Sequence, residues 1–215
     1  METENREQVA KAASIVMLAI LVSRILGFLR ERAVTEVFGR TATTDVFFAA
    51  FALPDLMYQL LVGGALSSAF IPVFTQYLAR DEEKEAWYVA SVFLNITVLA
   101  LLVVMVLGVI FTPSLAPLVG IGFSGEQREL LVLLMRVTFP AVFFTALSGL
   151  AMGVLNSYQR FTLPALGPIV YNLGQILGAY VLGPLMGIMG MAVGTIVGAM
   201  GSFSEVADII ALSWI

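Results

Sequence analysis

Apolar residues along the chain come in long runs separated by short polar connections. A membrane-spanning helix needs about 20 predominantly apolar residues, and six segments reach that length: 9–38, 46–78, 87–111, 130–155, 161–182 and 185–203. The first is interrupted by charges. The second contains Pro54-Asp55 and Gly63-Gly64 and is long enough to tilt, kink or break. The third, fifth and sixth are uncharged, and the fourth carries Arg136 and Pro140. The connections are "GRTATT" from Gly39, "ARDEEKEA" from Ala79, a longer Pro- and Gly-broken stretch from Thr112 to Glu129, then "NSYQR" and "GP". No linker divides the chain. The pattern predicts an all-α polytopic membrane protein: one six-transmembrane-helix lobe over 1–203, followed by an atypical tail over 204–215 that adds Glu205 and Asp208.

Composition supports the membrane reading. Of 215 residues, 60% are hydrophobic and only 12% charged, against about 25% charged in a soluble domain. Mean hydropathy is +0.97. A net charge of −4 gives no basic footprint for nucleic acid. With neither cysteine nor histidine, disulfides, the usual zinc sites and the Cys–His and Ser–His–Asp arrangements are excluded. There is no GxxxxGK[ST] phosphate loop and no carboxylate cluster with a nearby base, so an enzyme is not expected. The opening "METENREQVAKAAS" is no standard secretory signal. Arg6, Lys11, Arg80, Lys84 and Arg160 fall on one side of the membrane and Arg40 and Arg128 on the other, which predicts a cytoplasmic N-terminus.

The stretch "SRILGFLRER", Ser23 to Arg32, places Arg24, Arg30, Glu31 and Arg32 within the first apolar run. An ionisable group at the bilayer centre costs about 2.5–3.5 kcal/mol on insertion scales, so such residues face a protein interior or a wet cavity. At about 100° per residue, Glu31 falls within about 20° of Arg24, Arg32 about 80° to one side and Arg30 about 120° to the other. One straight helix cannot aim all of them into a narrow cleft. Gly27 could permit a bend, or one arginine could snorkel to the interface. The plain alternative is that helix 1 ends here and the charges pair in water. Against it, "AVTEVF" continues the helical pattern. The functional reading is an electropositive, water-filled cavity, since guanidinium forks match phosphate oxygens. Glu31, Asp45 and Asp55 would pair the arginines when the cavity is empty. Arg136 reads as a structural ion pair or a snorkelling residue. Asn95, Asn172 and Gln175 read as interhelical hydrogen-bonding groups. Gly190, Gly194 and Gly198, with Gly149/Gly153 and Gly174/Gly178, have the spacing that lets backbones approach closely, within one bundle or in self-association.

Three stretches carry a resemblance. "SRILGFLRERAVTEVFG", "TDVFFAAFALPDLMYQLLVGGALSSAFIPVF" and "RVTFPAVFFTALSGLAMGVLNSYQRFTLPALGPIVYNLG" resemble, in order, the MurJ/MviN family. These are the lipid II flippases of bacterial peptidoglycan synthesis, within the MOP exporter superfamily. The resemblance implies an undecaprenyl-pyrophosphate-linked disaccharide-pentapeptide as substrate, moved to the outer leaflet of the bacterial inner membrane by alternating access. It implies no cofactor in this chain, with membrane potential or an ion gradient resetting the empty state. The family pattern SRxxGFxR(D/E) falls on Ser23, Arg24, Gly27, Phe28, Arg30 and Glu31. By that correspondence Arg24 and Arg30 attract the pyrophosphate, Ser23 and Glu31 form a gate or tune the arginines, and Asp45 matches the aspartate of a TDAFF-type motif.

The chain departs from the family pattern in places. "LPDLMYQ" stands where many relatives have LPNLLRR, so Tyr58 and Gln59 replace a pair of arginines and Asp55 replaces an asparagine. Family members have about fourteen helices in two six-helix lobes plus extra C-terminal helices, and only the first lobe is present. The implied partners are lipid II, membrane lipids, and the missing C-terminal lobe or a second copy. Export of another polyprenyl-linked glycan is the alternative within transport; a non-transporting half-lobe acting as scaffold or homodimer is the alternative outside it.

Overall fold

The computed structural model describes residues 2–64, 70–158 and 166–212, with the side chains of most of them from Ser14 onward. The side chains of Arg6, Lys11, Arg160, Glu205 and Asp208, counted above, lie outside the described residues. Among the described residues every regular element is helical. In chain order they are α1 (Glu2–Phe38), α2 (Ala42–Ala49), α3 (Ala52–Tyr58) continuing as a π-helical stretch (Gln59–Gly64), α4 (Ile71–Leu78), α5 (Glu83–Val119), α6 (Glu126–Ser157), α7 (Gly167–Leu177) continuing as a second π-helical stretch (Gly178–Leu182), α8 (Gly183–Met186) and α9 (Ile188–Leu212).

Glu83–Val119, Glu126–Ser157 and Gly167–Met186 are each long and apolar enough to cross a membrane. Many large apolar side chains point outward, Phe28 at 67% exposure, Ile96 at 64% and Leu118 at 66% among them. A water-soluble protein does not present this much contiguous apolar surface; a lipid-facing one must.

The apolar run 46–78 is broken. α2 ends at Ala49, and α3 begins at Ala52 with Pro54 near its start. Pro54 has no N–H for the carbonyl of Ala50 four residues earlier. That carbonyl instead accepts a hydrogen bond from the buried hydroxyl of Thr138 on α6, at 3.0 Å. A second proline is accommodated by its own neighbour. In α5 the Thr112 hydroxyl lies 2.8 Å from the Val109 carbonyl, which Pro113 leaves without its usual donor. This lets α5 run on to Val119, through a segment whose prolines read as loop in the sequence. α9 continues past residue 203 to Leu212.

α6 is the central post and contributes to two apolar clusters. Leu131, Leu134, Met135 and Phe139 pack with Val34, Val46, Phe47 and Met191. Farther along, Ala146, Leu150 and Val154 pack with Val62, Phe70, Phe74, Ala86 and Ala90. The buried hydroxyls of Ser148 and Ser202 lie 2.9 Å apart and join α6 to α9.

α7 and α9 meet through glycine. A Cβ on Gly178 would fall 2.7 Å from the Gly194 Cα and 2.9 Å from the Gly190 carbonyl oxygen, and one on Gly194 would fall 2.6 Å from the Gly178 Cα. Gly174 and Gly198 meet in the same way. Of the two uses the spacing suggested, this stripe serves packing within the bundle. In lipid, where apolar side chains gain nothing by leaving water, close backbone approach of this kind is a main source of helix association.

Candidate functional site

The opposite side of α7 faces α1, and there the two helices meet through side chains, long polar ones among them. α1 is one continuous helix that ends where Gly39 takes φ +71°, a left-handed conformation suited to glycine after a helix. The turn is held by the Gly39 N–H on the Thr35 carbonyl at 3.0 Å and the Thr44 hydroxyl on the Gly39 carbonyl at 2.9 Å. This reversal sets α2 beside α1.

Between α1, the α2–α3 bend and α7 lies a pocket of about 210 Å³, lined by Arg30, Phe47, Phe48, Phe51, Asp55, Tyr171 and Gln175. The spacing explains the grouping. Phe47, Phe51 and Asp55 recur every four residues, and Tyr171 and Gln175 are one helical turn apart, so each set shares a face. The rings of Phe47 and Phe51 meet edge-on at 5.2 Å. Gln175 is buried one helical turn from Tyr171, and Tyr171 lies within electrostatic reach of both Asp55 and Arg30. The pocket thus combines a cation, a carboxylate, an amide and a phenol with an aromatic wall.

The residues singled out in the sequence divide. Arg30 and Asp55 line the pocket together. Glu31 does not line the pocket; its carboxylate is 3.5 Å from the Arg30 guanidinium, with side chains 67% and 27% exposed respectively. Arg24 is exposed and does not line the pocket. Ser23 faces α7, where its backbone carbonyl is 3.5 Å from the Asn172 amide nitrogen. Asn172 also donates to the Pro168 carbonyl at 2.8 Å, within α7. Asp45 is exposed in the first turn of α2, where a carboxylate complements the helix dipole. Tyr58 lies over Gly149 of α6, its hydroxyl 3.2 Å from where a Cβ would be. Arg136 is exposed on α6.

Arg32 lies on the other flank of α1. It approaches Glu36 at 3.8 Å, and Tyr180 donates to the same carboxylate oxygen at 3.1 Å. Tyr171 was not singled out from the sequence, and Gln175 was read as an interhelical hydrogen-bonding group. The available signal was the Tyr-x-x-x-Gln spacing on an uncharged helix.

The sequence model of the family described as "Lipid II flippase MurJ" matches residues 34–207, well over half of the chain. The chain belongs to the MurJ family. Every pocket residue except Arg30 falls within that matched range. The chain is 35% identical over 163 residues to a probable lipid II flippase MurJ of Buchnera aphidicola subsp. Acyrthosiphon pisum, covering 75% of this chain and 32% of the relative. It is 31% identical over 209 residues to that of Vibrio cholerae serotype O1, covering 92% of this chain and 40% of the relative. Among solved structures it matches a lipid II flippase MurJ in an inward closed conformation, with a TM-score of 0.75 and 29% identity over 91% of this chain and 41% of the other. The chain therefore spans about a third to two fifths of the length of the family members it matches. Family membership and the apolar helices make it a multi-pass protein of the bacterial inner membrane.

Proposed function

We propose that this chain forms the six-helix N-terminal lobe of a lipid II flippase, with its N-terminus in the cytoplasm. In this reading the pocket at Arg30 receives the pyrophosphate of an undecaprenyl-linked glycopeptide. The observation that carries it is the convergence of Arg30, Asp55, Tyr171 and Gln175 in one pocket of a MurJ-family chain. A guanidinium binds phosphate oxygens bidentately. Asp55 and Glu31 balance it when the pocket is empty, and an arriving diphosphate takes their place. Gln175 and Tyr171 supply neutral hydrogen-bonding groups, and the phenylalanines exclude water. Closure around the neutralised anion then favours the outward-facing state of the two lobes. Arg24, exposed here, would act at the surface that meets the second lobe. Membrane potential or an ion gradient would reset the empty cavity. The glycine stripe of α9 is occupied by α7, which favours the lobe reading over a homodimer built on that stripe.

The test is growth rescue when the resident flippase is depleted, with the substitution placed in the full-length protein. Arg30→Ala is expected to abolish rescue at matched membrane levels, and Arg30→Lys to restore part of it. Full rescue by Arg30→Ala would remove the pocket from the transport cycle.

A further inference from the structure

The flank of α1 opposite the Arg30 pocket carries a second feature that the transport reading leaves unused. It is a groove of about 400 Å³ between α1 and α7, with Leu26, Leu29 and Leu173 on its walls and Arg32, Glu36 and Tyr180 at one end. From Leu26 to Glu36 it runs about 15 Å along the helix, at 1.5 Å per residue. Its polar end lies where the elements end: α1 stops at Phe38, and the π-helical stretch holding Tyr180 stops at Leu182. Gly167–Met186 is long and apolar enough to cross a membrane, so its end beyond Tyr180 lies near the membrane surface, where tyrosine is enriched, and the leucine-lined part points toward the bilayer interior.

The polar end is incompletely used. Arg32 and Tyr180 both meet the same oxygen, Oε2 of Glu36. The guanidinium has five N–H donors and the carboxylate two acceptor oxygens, so donors of Arg32 and the Oε1 atom of Glu36 remain for a ligand. The side chains of Arg32 and Glu36 are 69% and 58% exposed. A cation and an anion side by side at the head of an apolar groove complement a headgroup carrying phosphate and ammonium next to each other. We infer that this groove binds a zwitterionic aminophospholipid, phosphate on Arg32, ammonium on Glu36, one acyl chain along the leucines. Arg32 alone would favour an anionic lipid; Glu36 beside it disfavours net negative charge and selects the amine.

The test is native mass spectrometry of the membrane-extracted protein, offered phosphatidylethanolamine and phosphatidylglycerol with identical acyl chains. The unsubstituted protein is expected to retain phosphatidylethanolamine about fivefold better. Glu36→Gln, which leaves Arg32 alone, should shift retention toward phosphatidylglycerol, and Glu36→Lys should do so more strongly, a gain that an unfolded variant would not give. Arg128→Ala, which does not line the groove, should leave the preference unchanged. Equal retention of the two lipids by the unsubstituted protein, or an ethanolamine preference that survives in both Glu36 variants, would overturn the assignment.

Discussion

α7 is held on two sides by opposite means. Against α9 it presents Gly174 and Gly178, and the two backbones touch with no side chains between them. Against α1 it presents Tyr171, Asn172, Gln175 and Tyr180, and the contact leaves a pocket on one flank and a groove on the other. The first seam has almost no freedom, because backbone atoms cannot change rotamer. The second is made of side chains, polar and apolar, around open space. A transporter needs both kinds of contact: a rigid unit to carry the site and an adjustable joint beside it. In the proposed transport cycle, α7 and α9 form the rigid unit and α1 the joint.

The largest expected effect comes from attacking the rigid seam. Gly194→Val places atoms against Gly174 and Gly178 from a position with no room, and overpacking of this kind costs about 3 kcal/mol or more when backbone must move. Loss of the folded protein from membranes, read as a fall in thermal stability and yield, is the predicted result; a stable, well-expressed variant would mean that α7 and α9 can separate. The next experiment uses the absence of cysteine from this chain, any cysteine elsewhere in the full-length protein being replaced first. A Ser23→Cys/Asn172→Cys pair, across the adjustable seam, should stop rescue when oxidised and restore it when reduced. A Ser148→Cys/Ser202→Cys pair across α6 and α9 should be tolerated in both states. Equal inhibition by both crosslinks would erase the distinction. The smallest effect is expected for Asn172→Leu. Its interhelical contact is long, and its shorter bond is within its own helix. Side-chain hydrogen bonds between membrane helices average about 0.6 kcal/mol, so the variant should lose about 0.5 kcal/mol or less in a denaturant titration.

Much of this arrangement was legible in the sequence. The apolar runs announced the long helices, "GRTATT" and "ARDEEKEA" marked turns, and Pro54 marked the break after α2. The angular separation of Arg30 and Arg32 already required different flanks of α1, where they are found. The rest was hidden for physical reasons. Sequence gives a residue's face only while the helix keeps about 100° per residue. The π-helical stretches at Gln59–Gly64 and Gly178–Leu182 shift that phase, and no periodicity tells which faces of two helices are turned toward each other. Hence Tyr171 and Gln175 could not be assigned to the Arg30 pocket, nor Tyr180 to the opposite flank. The length of α5 was missed because prolines stop helices when their orphaned carbonyls find no donor. Whether Thr112 supplies one depends on a rotamer, which composition does not disclose.

The two proline repairs differ in what they demand of inheritance as well as in their geometry. Thr112 and Pro113 are neighbours and pass between generations as one short word. Thr138 and the Ala50 carbonyl that it caps are 88 residues apart, so the bend at Pro54 is encoded at two separate sites. Descent is then constrained in its order. A lineage that first replaces Pro54 regains the missing N–H, and the hydroxyl at 138 becomes dispensable. One that first loses the hydroxyl must carry a bare carbonyl through the hydrocarbon until the proline follows. The accessible route runs through position 54 first.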